Sequence, residues 1–503
     1  MARKSKSGVP EIRVRALNRI PVRAEGKYVL YWMIAARRTH YNFALDRAIE
    51  LALELDQPLI VLEPLRVGYL HACDRFHRFV IDGMADNAKA FEGTGVLYHP
   101  FVESVLGAGE GLLEKLSEDA CVVVTDDYPA FFFPKMTSAA AKKISVRLEA
   151  VDSNGIYPMR ATDRVFARAY DFRRFLQREL APHLSQSPRC DPLRTKLRPR
   201  KRLPQGVGQR WPRVSDALLS GDENQLHELP IDHQVQPTSE LGGERAAGQV
   251  LDEFLDLRSM RYGQDRNHPD SDGASGLSAY LHFGHLSAHE ILEAIADRER
   301  WSPEKVSDSK SGKREGWWGM SPAAESFLDQ LVTWREIGFN FCAHRDDYDK
   351  YESLPEWAQI TLAGHSTDPR PQVYTLEQFE RAKTHDELWN AAQNQLRTEG
   401  RIHNYLRMLW GKKILHWSES PQAALAIMLH LNNKYALDGR DPNSYSGIFW
   451  VLGRNDRAWG PEREVFGKIR YMASENTRRK LQLKQYMAKF GAERDLFSQV
   501  DLS

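Results

Sequence analysis

The chain is 503 residues long, with 42% hydrophobic and 27% charged residues. This excludes a disordered or fibrous polymer and leaves room for roughly two to four domains with real cores. Lys and Arg total 69 against 68 Asp and Glu, for a formal net charge of +1, so overall charge does not mark a nucleic-acid binder. No run of about 18 apolar residues signals a membrane span, and the basic N-terminus (Arg3, Lys4, Lys6) lacks the apolar stretch of a secretory signal. The 4 cysteines include no CxxC pair, which argues against a disulfide scaffold or a cysteine-rich zinc site and fits a reducing cytoplasm.

Tyr28–Met33 reads as a buried strand, followed by a helical pattern through Phe43, Ala44, Ala48, Leu51 and Leu55. Pro58–Leu62 is a second apolar run, and Phe76, Phe79, Val80 and Met84 mark a second helix. Gly95–Tyr98 and Cys121–Thr125 read as further strands, with a helix near Leu112–Leu116 between them. Strands alternating with helices of this length imply βαβ units and a mostly parallel, Rossmann-like sheet. From Pro182 to about Pro237, Pro, Gly, Arg and Gln break the periodicity, as in a long connector lying across the first domain. From Gly243 the pattern is helical almost throughout, including a Ser287–Glu290 capping box, an amphipathic Ala324–Cys342 stretch and a long helix over Arg401–Trp417. The expected organisation is an α/β domain over 27–155, a connector over 156–242 and an all-helical domain over 243–495, with no internal repeat.

Several features could carry chemistry. Between Arg189 and Arg213 nine Lys or Arg residues accompany one acid, Asp191, and Arg478-Arg479-Lys480 forms a second basic cluster. Such stripes suit phosphate backbones or simply a solvated surface. Ten of the 12 Trp lie between Trp301 and Trp459, as a packed helical core, a stacking surface or an electron-transfer chain would require. Gly107-Ala108-Gly109-Glu110-Gly111 resembles a dinucleotide loop but lacks the GxGxxG spacing and does not directly follow a strand. The small, hydroxyl-rich stretch Asp272–Gly284 leads into an apolar helix, where backbone N–H groups and Ser hydroxyls could meet a diphosphate; an ordinary N-cap reads equally from it. Trp410 and Trp417 share a helix face, and Trp389 opens a neighbouring helix. Tyr435–Asn443 reads as a rigid polar turn that could hold a polar heterocycle by hydrogen bonds or be only a turn. His285 and His289 stand at i, i+4, but without a third ligand or an HExxH motif no metal site is expected.

At these residues the chain resembles the class II cyclobutane pyrimidine dimer (CPD) photolyases of the photolyase/cryptochrome superfamily. The likeness runs in order through Tyr31-Trp32-Met33 with Asn42-Phe43-Ala44-Leu45, then Arg266-Asn267, then Ser275–Gly284. It continues through Phe327–Glu336, Asn340-Phe341-Cys342, Thr384–Gln393, Leu406–Leu415, Leu437–Asn443, Asp456–Gly460 and Phe466–Met472. The C-terminal half carries the most specific motifs, and residues 99–240 match poorly.

The resemblance implies an antenna-type α/β domain joined to a helical domain that holds FAD in a bent form. It implies light-driven repair, in which the excited reduced flavin passes an electron to a flipped-out pyrimidine dimer, the cyclobutane ring opens and the electron returns. By motif, Tyr262, Ser275, Gly276, Leu277, Ser278, Arg335, Asp438, Gly439 and Arg440 are expected to contact FAD. Asn432 would face flavin N5, and Arg407 would pair with Asp438 to offset a carboxylate beside an anionic flavin. Trp389, Trp410 and Trp417 fall on the photoreduction relay. Arg266, Asn267, Trp334, Trp450 and Arg457 would line the dimer cleft and hold the DNA backbone, mostly without reading sequence.

Two departures stand out. Where the family pattern carries two acids before the Leu-x-x-Trp/Arg-Arg-Glu stretch, this chain has Asp329-Gln330. Gln330 is i, i+4 with Trp334 and so shares its cleft; its amide can bridge dimer carbonyls but cannot supply a proton. That change leaves room for slower CPD splitting, or for a different lesion such as the (6-4) photoproduct. Ala279 stands where the family usually has Pro. An antenna chromophore, with deazaflavin favoured, an otherwise empty antenna site, a monomeric state and a cytoplasmic or nucleoid location complete the expectations. A cryptochrome-type photoreceptor and a DNA- or RNA-binding protein without chemistry are the rival readings. Retained Arg266 and Arg457, intact flavin motifs and an end soon after the last matched helix favour repair.

Overall fold

The computed structural model describes residues 8–491. Arg3, Lys4 and Lys6, and residues 492–495 of the expected helical domain, lie outside the described residues. The chain divides into two compact units. The first comprises residues up to 260, 275–348 and 437–445; the second comprises 261–274, 349–436 and residues from 446 onward.

The first unit is built on a six-stranded sheet: β1 (Val14–Ala16), β2 (Tyr28–Trp32), β3 (Leu59–Leu65), β4 (Leu97–Val102), β5 (Ala120–Asp126) and β6 (Leu148–Val151). The spatial order is β1-β6-β5-β2-β3-β4, all parallel except β1, which runs antiparallel to β6 with Val14 opposite Val151. Helices α1 (Phe43–Glu54), α2 (Asp74–Phe91), α3 (Leu112–Ser117) and α4 (Phe133–Lys143) supply the crossovers. Every residue of β2 and β5 is buried, as expected of parallel strands covered on both faces. Alternation sorts their side chains: Val29, Tyr31 and Met33 join the core beneath α1, whereas Tyr28, Leu30 and Trp32 join the opposite core. The expected strands and helices are all present; β1, β6 and α4 are additions, short or patterned too weakly to announce themselves.

The connector lies against this unit. Leu193 and Leu197 pack on the α1-side core, Val207 and Trp211 enter the opposite one, and Val214, Leu218, Leu226 and Leu229 cover α2. Much of the basic stripe is engaged within the chain. Arg189 pairs with Asp46 at 2.8 Å, Arg194 with Asp191 at 2.8 Å and Arg213 with Asp216 at 2.7 Å, while Arg200 lies 4.5 Å over the Tyr28 ring. Beyond the connector, helices Pro322–Leu328 and Arg335–His344 are joined through a π-helical stretch, Asp329–Trp334.

The second unit is helical. Its centre is the run Glu387–Glu399, Asn404–Trp417 and Pro421–Tyr435. Asp386 caps the first by accepting from the Leu388 and Trp389 N–H groups, and Gly400 ends it in the left-handed conformation at φ 67°. Gly411 lets chains approach closely, because a Cβ there would lie 2.5 Å from Val451 Cγ2.

Candidate functional site

In the second unit the three expected relay indoles are brought together and sealed from water. Trp389, Trp410 and Trp417 are 0%, 1% and 3% exposed. Trp389 Nε1 donates to the Trp410 carbonyl at 3.0 Å, and Trp410 Nε1 donates to Gln393 Oε1 at 2.9 Å. The Trp389 and Trp417 rings meet edge to face at 6.1 Å, and Trp417 in turn meets Tyr374 at 5.7 Å. Tyr374 is partly exposed, so aromatic contacts run from a buried pair towards solvent. Asn432, on Pro421–Tyr435, is buried as a neutral amide.

A cationic–aromatic group lies in the same unit. Trp450 is partly exposed, with Lys412 Nζ 5.0 Å and the Arg470 guanidinium 5.7 Å from its ring. Arg470 also reaches the Trp459 ring at 5.1 Å, and Arg457 covers that ring at 4.6 Å. Cations over indole faces are held by the ring quadrupole, and here the exposed Arg457 and partly exposed Arg470 set positive charge beside partly exposed indoles, a combination suited to bases and phosphates. Arg266 lies 5.6 Å over Tyr262, and the adjoining Asn267 is partly exposed. Arg407 is partly buried on Asn404–Trp417.

Lys412 and Arg470 were not singled out in the sequence. Lys412 is fully buried and donates to the Val451 carbonyl at 2.6 Å. Burial lowers its pKa to about 7; Asp456 opposes the shift and Arg470 reinforces it. Lys412 and Lys413 stand side by side in the matched Leu406–Leu415 stretch, and only packing reveals that Lys412 points inward. Arg470 lay within a matched motif, Phe466–Met472, where its spacing from Trp459 was a usable signal.

In the first unit, Gln330 and Trp334 both lie on the π-helical stretch and are partly exposed, whereas Asp329 between them and the core is buried in a two-pronged pair with Arg173, at 2.6 and 3.0 Å. Of the two residues at the departure, Asp329 therefore serves the fold and Gln330 remains available. π-Bulges of this kind re-aim side chains. Arg335 donates to the Asn154 carbonyl at 2.7 Å and lies 4.4 Å over Phe339, and Glu336 accepts from the Ile156 and Tyr157 N–H groups. Burial raises Glu336 to about 7 against those hydrogen bonds and against Arg335.

The Ser275–Ser278 stretch turns through Gly276 at φ 77° into the helix Ser278–Phe283, and Ser275 Oγ accepts from Leu277 N–H at 3.4 Å. The helix ends at Gly284, φ 76°, where a Cβ would sit 1.8 Å from the Ala35 carbonyl oxygen. Ser287 caps the next helix through the His289 N–H. His285 and His289 are buried and kept neutral: burial lowers His285 to about 3, its Nδ1 accepts from Gly243 N–H at 2.9 Å, and His289 meets Phe43 edge-on at 5.3 Å. Asp438 is partly buried, Gly439 is buried, and Arg440 stacks 3.6 Å over Phe76.

Arg440 also borders a cavity of about 460 Å³ within the first unit. It opens at the carboxyl ends of β2, β3 and β5, where successive crossovers diverge and α/β sheets characteristically leave a crevice. Tyr69, Phe101, Tyr128, Phe132 and Phe283 give it aromatic walls, and the Gly107–Gly111 loop forms part of its rim. That loop, spaced wrongly for a dinucleotide, is thus a wall of a ligand-sized chamber. Asp126 fixes the turn that brings Ile34 and Ala35 to the cavity wall by accepting from the Ile34, Ala35 and Ala36 N–H groups at 2.8, 2.7 and 3.0 Å.

No protein-family profile matches the chain. A deoxyribodipyrimidine photo-lyase of Methanothermobacter thermautotrophicus is 34% identical over 476 residues, covering 94% of this chain and 97% of that protein. The chain belongs to the deoxyribodipyrimidine photo-lyase family. Namesakes from Arabidopsis thaliana and Potorous tridactylus are each 33% identical, over 92% of this chain and 88% and 80% of their own. A bacterial class III photolyase from Agrobacterium tumefaciens has the same fold, with a TM-score of 0.63 and 17% identity, over 92% of this chain and 86% of that one. Membership makes the protein an enzyme, a lyase of light-driven DNA repair. The expected fold, an α/β domain with a large helical region, matches that of the solved relative. Among the described residues, no helix is long and apolar enough to cross a membrane.

Proposed function

We propose that the enzyme is a class II CPD photolyase that uses reduced FAD to split pyrimidine dimers flipped out of DNA. The observation that carries this reading is the buried Trp389–Trp410–Trp417 cluster, a set of linked indoles from which aromatic contacts lead towards solvent, as an electron relay needs. Relatives named photo-lyase along almost the whole chain support it.

The residues present fit FAD. Asn432 is an amide where a carboxylate would repel a reduced, anionic ring, and the Gly276 turn leaves the Ser275–Ser278 backbone open to close approach. In this reading Tyr262, Ser275, Gly276, Leu277 and Ser278 hold the phosphates and ribose; Asn432, Asp438 and Gly439 hold the ring edge; Arg335, Arg407 and Arg440 set the surrounding charge, with Arg407 balancing Asp438. When bound and reduced, FAD supplies the photoexcited electron that opens the cyclobutane ring and is then returned. Trp410, Trp389 and Trp417 carry electrons inward to restore the reduced state. Trp334, Trp450, Arg266, Asn267 and Arg457 are the residues assigned to the lesion and its flanking backbone, and the Gln330 amide bridges dimer carbonyls.

The aromatic cavity fits an antenna chromophore of deazaflavin type: its volume lies in the ordinary range for small-molecule sites, its walls suit a planar ring, and the exposed Arg66 offers a cationic edge. The domain assignment that goes with this reading is an antenna domain over 27–155, a connector over 156–242 and a catalytic helical domain over 243–495. A monomer acting on DNA in the cytoplasm or nucleoid completes it. The test is the absorption spectrum of the native protein, followed by illumination with dimer-containing oligonucleotides. Bound flavin and strictly light-dependent conversion of CPDs are expected. Repair in the dark, absence of flavin after gentle purification, or conversion of (6-4) lesions instead would overturn the assignment.

A further inference from the structure

Three residues distant in sequence converge in the first unit, outside every site described above. Asp74 is the first residue of α2, His227 ends the short helix Glu223–His227, and His233 follows in the connector. Their ligand atoms all lie within 4.8 Å of one another. His233 Nδ1 is 2.8 Å from Asp74 Oδ1, His227 Nε2 is 3.4 Å from Asp74 Oδ2, and the two imidazoles meet edge to face at 5.2 Å.

The carboxylate is the telling member. Asp74 is 0% exposed, and its Oδ2 makes no hydrogen bond although it is buried and aimed at His227. A buried carboxylate oxygen without a donor is costly unless a positive charge faces it. The histidine rings are 48% and 37% exposed, which leaves them free to adjust and keeps one side open to water.

We propose that Asp74, His227 and His233 form a Zn²⁺ site that clips the connector to the first turn of α2. Two imidazole nitrogens and one carboxylate oxygen are a borderline donor set suited to Zn²⁺. At tetrahedral bond lengths of about 2.0–2.1 Å, ligand atoms stand about 3.3 Å apart, close to the His227–Asp74 separation. Water takes the fourth position on the open side. The clip reinforces a junction already drawn by the backbone, where Asp74 N–H donates to the Asp232 carbonyl and Asp232 N–H to the Ala72 carbonyl. Closing the ring between residues 74 and 227–233 restricts the unfolded chain and stabilises the connector's docking.

The experiment strips the full-length flavoprotein with chelator, then titrates it with Zn²⁺ against a chromophoric competitor, with Co²⁺ as spectroscopic probe. One equivalent is expected to bind at micromolar affinity or tighter, with the intense visible bands of tetrahedral Co²⁺ and a raised melting temperature. His227→Ala and His233→Ala should each weaken binding by about 10- to 100-fold or more, in line with the sensitivity of metal sites to their ligand shell. Both positions are exposed enough for the variants to fold, which circular dichroism checks; Asp74→Asn adds the charge test. Cys190→Ser should bind as wild type, which removes the exposed thiol as the source of the signal. Wild type binding no more tightly than the His227→Ala/His233→Ala double variant, or binding lost in Cys190→Ser, would overturn the proposal. Photorepair is independent of this site, so neither result bears on the repair reading.

Discussion

Replacing Lys412 by Met should flatten the pH dependence of stability. The amine is fully buried, donates to the Val451 carbonyl at the end of its helix, and has a pKa lowered to about 7 chiefly by burial. In the unfolded chain a Lys titrates near about 10.4. Below the folded pKa both states hold the proton, and the cost of burying the ammonium is fully present. Between the two pKa values the unfolded chain holds one proton more than the native one, so native stability rises with pH. Each pH unit in that window is worth about 1.4 kcal/mol, so the step from pH 7.5 to 9.5 contributes about 2–3 kcal/mol. Groups that titrate elsewhere act equally on wild type and variant and cancel in the difference. Urea unfolding in the dark, followed by tryptophan fluorescence at several pH values, measures it. The wild type should gain stability relative to Lys412→Met as pH rises, with the gap at pH 7.5 favouring the variant, since an apolar chain of similar length removes a buried charge. Parallel curves across that range would refute the argument and show that the ammonium is stabilised where it lies. Lys412 also sits 5.0 Å from the Trp450 ring, so light-driven repair by the variant reports whether that charge reaches the proposed lesion surface.

Other consequences are equally open to measurement. Trp417→Phe should abolish photoreduction of oxidised flavin while chemically reduced enzyme repairs normally; a wild-type photoreduction rate would remove Trp417 from the relay. Gln330→Glu should raise the quantum yield of CPD repair, and an unchanged or lower yield would show that the amide does not limit it. Gly284→Ala should destabilise the first unit by about 3 kcal/mol or more, because the added methyl would occupy the space of the Ala35 carbonyl at a left-handed backbone position; a melting temperature within error of wild type would contradict that packing.

The sequence by itself determined the parallel sheet and the helical second half. Strands buried on both faces must be continuously apolar, as in Tyr28–Met33 and Cys121–Thr125, and helices with one buried face must repeat every three to four residues; both signals are local and survive in a linear string. Spacing also put Trp410 and Trp417 on one helix face, while their role with Trp389 as a relay came from the family resemblance. The tertiary structure alone decided what depends on distant segments meeting. It turned Lys412 inward while Lys413 stayed near the surface, and it bound Asp329 to Arg173 while Gln330 remained accessible. It spent Arg189 on an ion pair with the distant Asp46, hollowed an aromatic chamber beside a glycine loop with the wrong spacing, and carried His227 and His233 to Asp74. Each of these is set by which surfaces close upon each other, and that closure lowers free energy through packing and desolvation summed over the whole chain, leaving no period or motif in any single stretch.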